Sequence, residues 1–137
     1  PHQPTNLVIL EDVPMSFFKD EGGKANQLSF KVGLPPGLRI TRPVPLQCEL
    51  YYESGLPVAK EDVADVLSVF TDNLVLKPHQ PYAKVNFRYN KVSRRYDGQR
   101  FKVFLRPMQA ADTPPGELLS GVFSNPVTVM SKRKTAD

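Results

Sequence analysis

Fourteen prolines are spread along 137 residues, from Pro1 to Pro126. A proline inside a helix removes a hydrogen bond and clashes with the turn before it, so a helix bundle is excluded. Between the prolines lie short runs that alternate with period 2, the signature of strands with one buried face. The clearest covers 44–53: Val44, Leu46, Cys48, Leu50 and Tyr52 fall on one side, and Pro45, Gln47, Glu49, Tyr51 and Glu53 on the other. Leu28, Phe30 and Val32 share a face, as do Val85, Phe87 and Tyr89, and Phe101, Val103 and Leu105. Leu7–Leu10, Phe17-Phe18 and Pro126–Met130 add shorter runs. Turn signals at Asp20-Glu21-Gly22-Gly23, Pro35-Pro36-Gly37, Ser54-Gly55 and Asp97-Gly98 separate them.

One segment carries a helical spacing. Val63, Val66, Leu67 and Phe70 follow i, i+3, i+4, i+7, and Glu61-Asp62 stand where a helix N-terminus favours acids. That predicts two to three turns, with a strand over 66–70 as the alternative because Val and Phe also suit strands. The whole is an all-β fold: an immunoglobulin-like antiparallel β-sandwich of about seven to nine strands with one short helix. A closed barrel is the main competitor. The reading gives one domain over residues 1–131 and a basic C-terminal tail over 132–137. The hydrophobic content, 40%, suffices for a single core. Pro1-His2-Gln3-Pro4 reads as the edge of a domain within a longer chain, without a signal peptide.

Several function classes lack their chemistry. One cysteine forbids an internal disulfide, and with only His2 and His79 a zinc centre has too few ligands. Cys48 lies on the apolar side of its strand, where a free cysteine behaves as a small hydrophobe. His79 sits between two prolines without an evident acidic partner. Gly22-Gly23 lacks a phosphate-loop context. The aspartates Asp20, Asp62, Asp72, Asp97 and Asp112 are too scattered for a calcium-binding sandwich. No apolar run is long enough to span a membrane. These observations read as a protein that is not an enzyme and takes no cofactor or metal.

Charge is the informative feature. Net charge is +4, but eight cations face one acid, Asp97, between residues 84 and 106: Lys84, Arg88, Lys91, Arg94, Arg95, Arg100, Lys102 and Arg106. Lys132, Arg133 and Lys134 follow near the end. Residues 47–76 run the other way, with Lys60 against six acids. Parity puts Lys84, Arg88, Lys102 and Arg106 on the solvent side of two strands, which either form a hairpin with a long basic tip or pass to different sheets. Arg94, Arg95 and Arg100 cluster between the strands. Arginine forks suit phosphate oxygens and guanine edges, and a concentrated positive field suits a polyanion. Basic residues also line solvated sheet faces and guard edge strands without binding anything.

The segment Phe87-Arg88, Val92-Ser93-Arg94 and Gly98-Gln99-Arg100-Phe101-Lys102-Val103, followed by Ser124-Asn125-Pro126-Val127-Thr128-Val129 and the basic tail, resembles the closing strands of Rel/Runt/STAT-like immunoglobulin-fold transcription factor DNA-binding domains. The likeness covers the order of elements over roughly residues 44–134. It departs near the N-terminus, where Phe17-Phe18-Lys19-Asp20 stands in place of the Rel arginine-rich loop. It implies sequence-specific binding of double-stranded DNA by a nuclear transcription regulator. Lys91, Arg94, Arg95, Arg100 and Lys102 become the expected contacts, and Lys132, Arg133 and Lys134 add backbone affinity. The acidic half would face away from the DNA, toward a second copy or a protein partner. The alternative is a protein–protein interaction module, an adaptor or scaffold, using that acidic half, Tyr51 and the apolar stretch Leu118-Leu119 to Val122-Phe123.

Overall fold

A computed structural model describes residues 3–21, 26–93 and 98–131. Twelve short strands are present among them: β1 (Thr5–Asn6), β2 (Val8–Glu11), β3 (Ser16–Phe18), β4 (Leu28–Gly33), β5 (Val44–Tyr52), β6 (Leu67–Val69), β7 (Val75–Leu76), β8 (Tyr82–Tyr89), β9 (Phe101–Pro107), β10 (Leu119–Ser120), β11 (Val122–Phe123) and β12 (Thr128–Met130). The helix α1 spans Lys60–Val66, and a 3-10 turn covers Pro115–Glu117.

Eight strands form two four-stranded sheets, β2-β4-β8-β6 and β11-β9-β5-β7. All pairings within them are antiparallel. This is the immunoglobulin-like sandwich expected from the alternation. Inward positions of both sheets meet in one core: Phe30, Val32, Val85, Phe87 and Tyr89 from the first, and Phe101, Val103 and Leu105 from the second. Tyr89 bridges the layers, stacking on Phe101 at 5.5 Å and meeting Phe87 edge-on at 5.4 Å.

The N-terminal segment closes the seam between the sheets. β1 pairs in parallel with β10, β2 turns to β4, and β3 pairs in parallel with β12. The chain changes partner at Leu7, between the two pairings, and a register shift between Ile9 and Glu11 interrupts the β2–β4 ladder. The helical spacing is honoured only as far as Val66. Leu67 adopts extended backbone, pairs with Tyr89, and begins β6. Phe70 is therefore outside the helix and exposed.

Topology gathers several connections at one end. β5 finishes at Tyr52 opposite Phe101, where β9 begins; β6 begins at Leu67 opposite Tyr89, where β8 finishes; and β12 finishes at Met130 beside Phe18. The segment carrying α1, the connection from Asn90 to Arg100, the turn after Phe18 and the exit of β12 share that end.

Candidate nucleic-acid interface

Strands β8 and β9 belong to different sheets. Their outward residues consequently do not make one basic surface: Lys84 and Arg88 lie on the outer side of one sheet, and Lys102 and Arg106 on the outer side of the other. The hairpin alternative is thus excluded. The fourfold solvent-face grouping divides because sequence parity gives inside or outside, not which sheet.

Most of these charges are engaged. Arg106 forks onto Glu49, with Nε 2.9 Å from Oε2 and Nη2 3.0 Å from Oε1, and lies 5.1 Å over the Phe104 ring. Lys84 is 3.9 Å from Glu11. Arg88 donates through Nη2 to the Lys19 carbonyl at 2.7 Å and packs over Phe17. Lys102 sits 4.0 Å over the Phe123 ring. Arg100 donates to Glu53 through Nε at 2.9 Å and Nη2 at 2.7 Å. Hydrogen bonds from these arginines hold the carboxyls of Glu49 and Glu53 below the usual carboxylate range. The Arg106 guanidinium, bonded to Glu49, is correspondingly raised. The acidic half therefore does not simply face away from the basic one: Glu49 and Glu53 interlock with it, because β5 lies beside β9.

The connection between β8 and β9 has a defined base. Val92 and Ser93 are buried. The Ser93 hydroxyl accepts the Val129 N–H at 2.9 Å, tying the connection to β12. Gly98, at φ 72°, donates its N–H to the Ser93 carbonyl at 3.1 Å. This left-handed backbone suits the glycine of the Asp97-Gly98 pair. Lys91, at the start of the connection, makes no ion pair among the described residues. Arg94 and Arg95, and Lys132, Arg133 and Lys134, lie outside the described residues.

Their covalent neighbours converge. Ser93 precedes Arg94, and its hydroxyl holds Val129, two residues before Ser131, which precedes Lys132. The Ser131 carbonyl in turn accepts the Asp20 N–H at 2.8 Å, and Met130 accepts from Lys19 at 2.9 Å. The described residues that precede two basic stretches far apart in sequence are thus tied to the same strand, β12, and its exit.

A second feature escaped the charge reading. Tyr51, Phe104 and Phe123 meet on the outer face of β5, β9 and β11, with centroids 5.3 Å apart for Tyr51–Phe123 and 4.6 Å for Phe104–Phe123. Tyr51 and Phe123 belong to the stretches the sequence offers for an interaction module; Phe104 joins them, and its signal was an outward parity where a polar residue is usual. Cys48 is inward-facing and packed against the core; burial pushes its thiol up to about 12. No cluster of three or more His, Cys, Asp or Glu side chains suited to a metal occurs among the described residues, and no helix there is long and apolar enough to cross a membrane.

The family model described as the DG1062 N-terminal domain matches residues 5–137. No curated protein matches the chain.

Proposed function

The chain belongs to the DG1062 N-terminal domain family, and for this member we propose sequence-specific binding of double-stranded DNA, as part of a nuclear transcription regulator of the kind its Rel/Runt/STAT-like features imply. One observation carries the reading: the anchors of the two basic segments, Ser93 and Ser131, are joined through β12 at the same end of the sandwich. Lys91, Arg94, Arg95, Lys132, Arg133 and Lys134 are the charges offered to the duplex. Phosphate contacts supply affinity, and an arginine fork on a base edge supplies discrimination.

A salt titration of binding to a random short duplex and to a selected duplex pool tests this. Six phosphate contacts cost roughly 10³-fold in affinity between about 50 and 200 mM salt. Replacing Arg94 and Arg95 together by Ala lowers the slope of log affinity against log salt by about 2. Unchanged affinity and slope in that double variant refute the assignment. Enrichment of one sequence separates specific DNA binding from a merely basic surface.

The aromatic face favours a second reading, a protein-interaction module. Tyr51, Phe104 and Phe123 with Arg106 are the residue types that anchor protein interfaces. Absence of duplex binding at low salt, together with loss of a protein partner in Phe123→Ala, decides for it.

A further inference from the structure

Among the arginines of the basic stretch, Arg100 stands apart in how it is held. Glu53 and Arg100 are stitched together through both backbone and side chains. The Glu53 N–H donates to the Arg100 carbonyl at 2.9 Å, and the Arg100 N–H lies 3.3 Å from Glu53 Oε1. The guanidinium closes on Oε2 from two of its nitrogens. Both side chains are about one-third exposed. The pair is the next rung beyond Tyr52–Phe101, at the limit of the β5–β9 ladder. It lies two residues after Gly98, whose N–H closes back onto Ser93.

The connection is consequently held from both sides. Its first end is fixed to β12 by the Ser93 hydroxyl, and its second end to β5 by Glu53. A phosphate gripped by the Nε–Nη2 edge of the guanidinium would have to displace Glu53, and one met by the remaining N–H groups would lie near a carboxylate that repels it. The same guanidinium left on Glu53 costs nothing to organise and keeps the exit of the connection in place. Charge-assisted forks are the stronger and more directional hydrogen bonds, suited to such a fixture.

We propose that Glu53 and Arg100 form a positioning clasp that sets the frame from which the basic connection meets DNA, Arg100 acting through that frame and not by touching the duplex. The inference rests on the DNA-binding reading above, and it moves Arg100 from the contacts to their support.

The test uses the full chain, the selected duplex, and three variants: Arg100→Gln, Glu53→Gln, and the exchange Glu53→Arg with Arg100→Glu. Two quantities are read: affinity as a function of salt, and exchange of the Gly98 amide followed by NMR without DNA. Each single variant is expected to weaken binding roughly tenfold, an ordinary coupling for a contacting pair, to leave the salt slope unchanged, and to speed Gly98 exchange. The exchanged pair is expected to recover both quantities. A slope lower by about 1 in Arg100→Gln overturns the proposal, because it counts a lost phosphate contact. Tighter binding in Glu53→Gln overturns it too, since the carboxylate would then be masking a contact. So does an exchanged pair that leaves Gly98 unprotected. If Arg100→Gln does not fold, Arg100→Lys keeps the charge and removes the fork; faster Gly98 exchange with weaker binding supports the clasp, and wild-type behaviour in both overturns it. Failure of the wild-type chain to bind any duplex sinks the DNA reading, and Gly98 exchange still decides whether the pair frames the connection.

Discussion

Gly121→Ala probes how closely the segment joining β10 and β11 is pressed onto β9. A Cβ at Gly121 would lie 2.1 Å from the Leu105 carbonyl oxygen, and 2.6 and 2.9 Å from Phe104 Cζ and Cε2. The Phe104 ring can swing aside. The Leu105 backbone cannot, because it is a rung of two ladders, opposite Cys48 on one side and Val122 on the other. Bringing the contact to 3.0 Å requires about 0.9 Å of movement, and the two-residue β11 is the part free to make it. Lifting β11 loses about two backbone hydrogen bonds, near 1 kcal/mol each. It also opens the Phe104–Phe123 contact, worth about 0.5–1.5 kcal/mol. Alanine returns about 0.4–1 kcal/mol by restricting the unfolded chain. The net loss is about 2 kcal/mol, which for a domain of this size lowers Tm by roughly 8 °C. Urea unfolding followed by tyrosine fluorescence measures it, since the chain has five tyrosines and no tryptophan. Gly116→Ala is the control: a Cβ there meets nothing within 4 Å, so its effect should be small. A Gly121→Ala protein within about 0.5 kcal/mol of wild type would show that β11 is not held as described.

Two further outcomes follow from the ionisable groups. The carboxyls of Glu49 and Glu53 are depressed in the folded state, so their contribution to stability is present above the unfolded value of about 4.3 and is lost as pH falls through the folded one. Carbon-detected NMR titration should find both below a free glutamate, and Arg106→Gln should return Glu49 alone upward; an unmoved Glu49 refutes the pairing. Cys48, partly buried and with its thiol raised to about 12, should react with a thiol-disulfide reagent at pH 8 well below its rate in denaturant. Labelling as rapid as in denaturant would contradict that burial.

Strand parity made much of the sandwich legible. Of the inward sets named from alternation, Phe101, Val103 and Leu105 are buried, as are Val44, Leu46 and Leu50, while Cys48 and Tyr52 on the same side of β5 are partly buried against the core. Parity is a property of consecutive residues, so it survives without knowledge of partners. Pairings between distant segments have no such trace. Nothing local in Thr5-Asn6 or Ser16–Phe18 announces a parallel neighbour at Leu119-Ser120 or Thr128–Met130. At Leu67 two local preferences compete, a helical stripe and a strand-forming Leu-Ser-Val, and Tyr89 decides between them by offering an edge. Gly121 could not be singled out beforehand either, because its requirement comes from the Leu105 carbonyl across the sheet.

The same distinction governs the candidate site. Counting charges along the chain overstated the basic surface, because a count has no partners in it. Glu49 and Glu53 lie in the acid-rich stretch by sequence, yet the antiparallel register of β5 against β9 brings them to Arg106 and Arg100. Exposed pairs of this kind add little stability, but each removes a cation from the field that a polyanion senses. What stays unpaired among the described basic residues of the connection is Lys91, beside the Ser93 anchor. The strand cations are thus largely engaged, and on the DNA-binding reading the contacts fall to Lys91 and to the sequence that follows Ser93 and Ser131. That arrangement predicts a division of labour: substitutions at Lys84 or Arg106 alter sheet packing and leave the salt slope of DNA binding alone, whereas substitutions in Arg94-Arg95 or Lys132–Lys134 alter the slope and leave the fold intact.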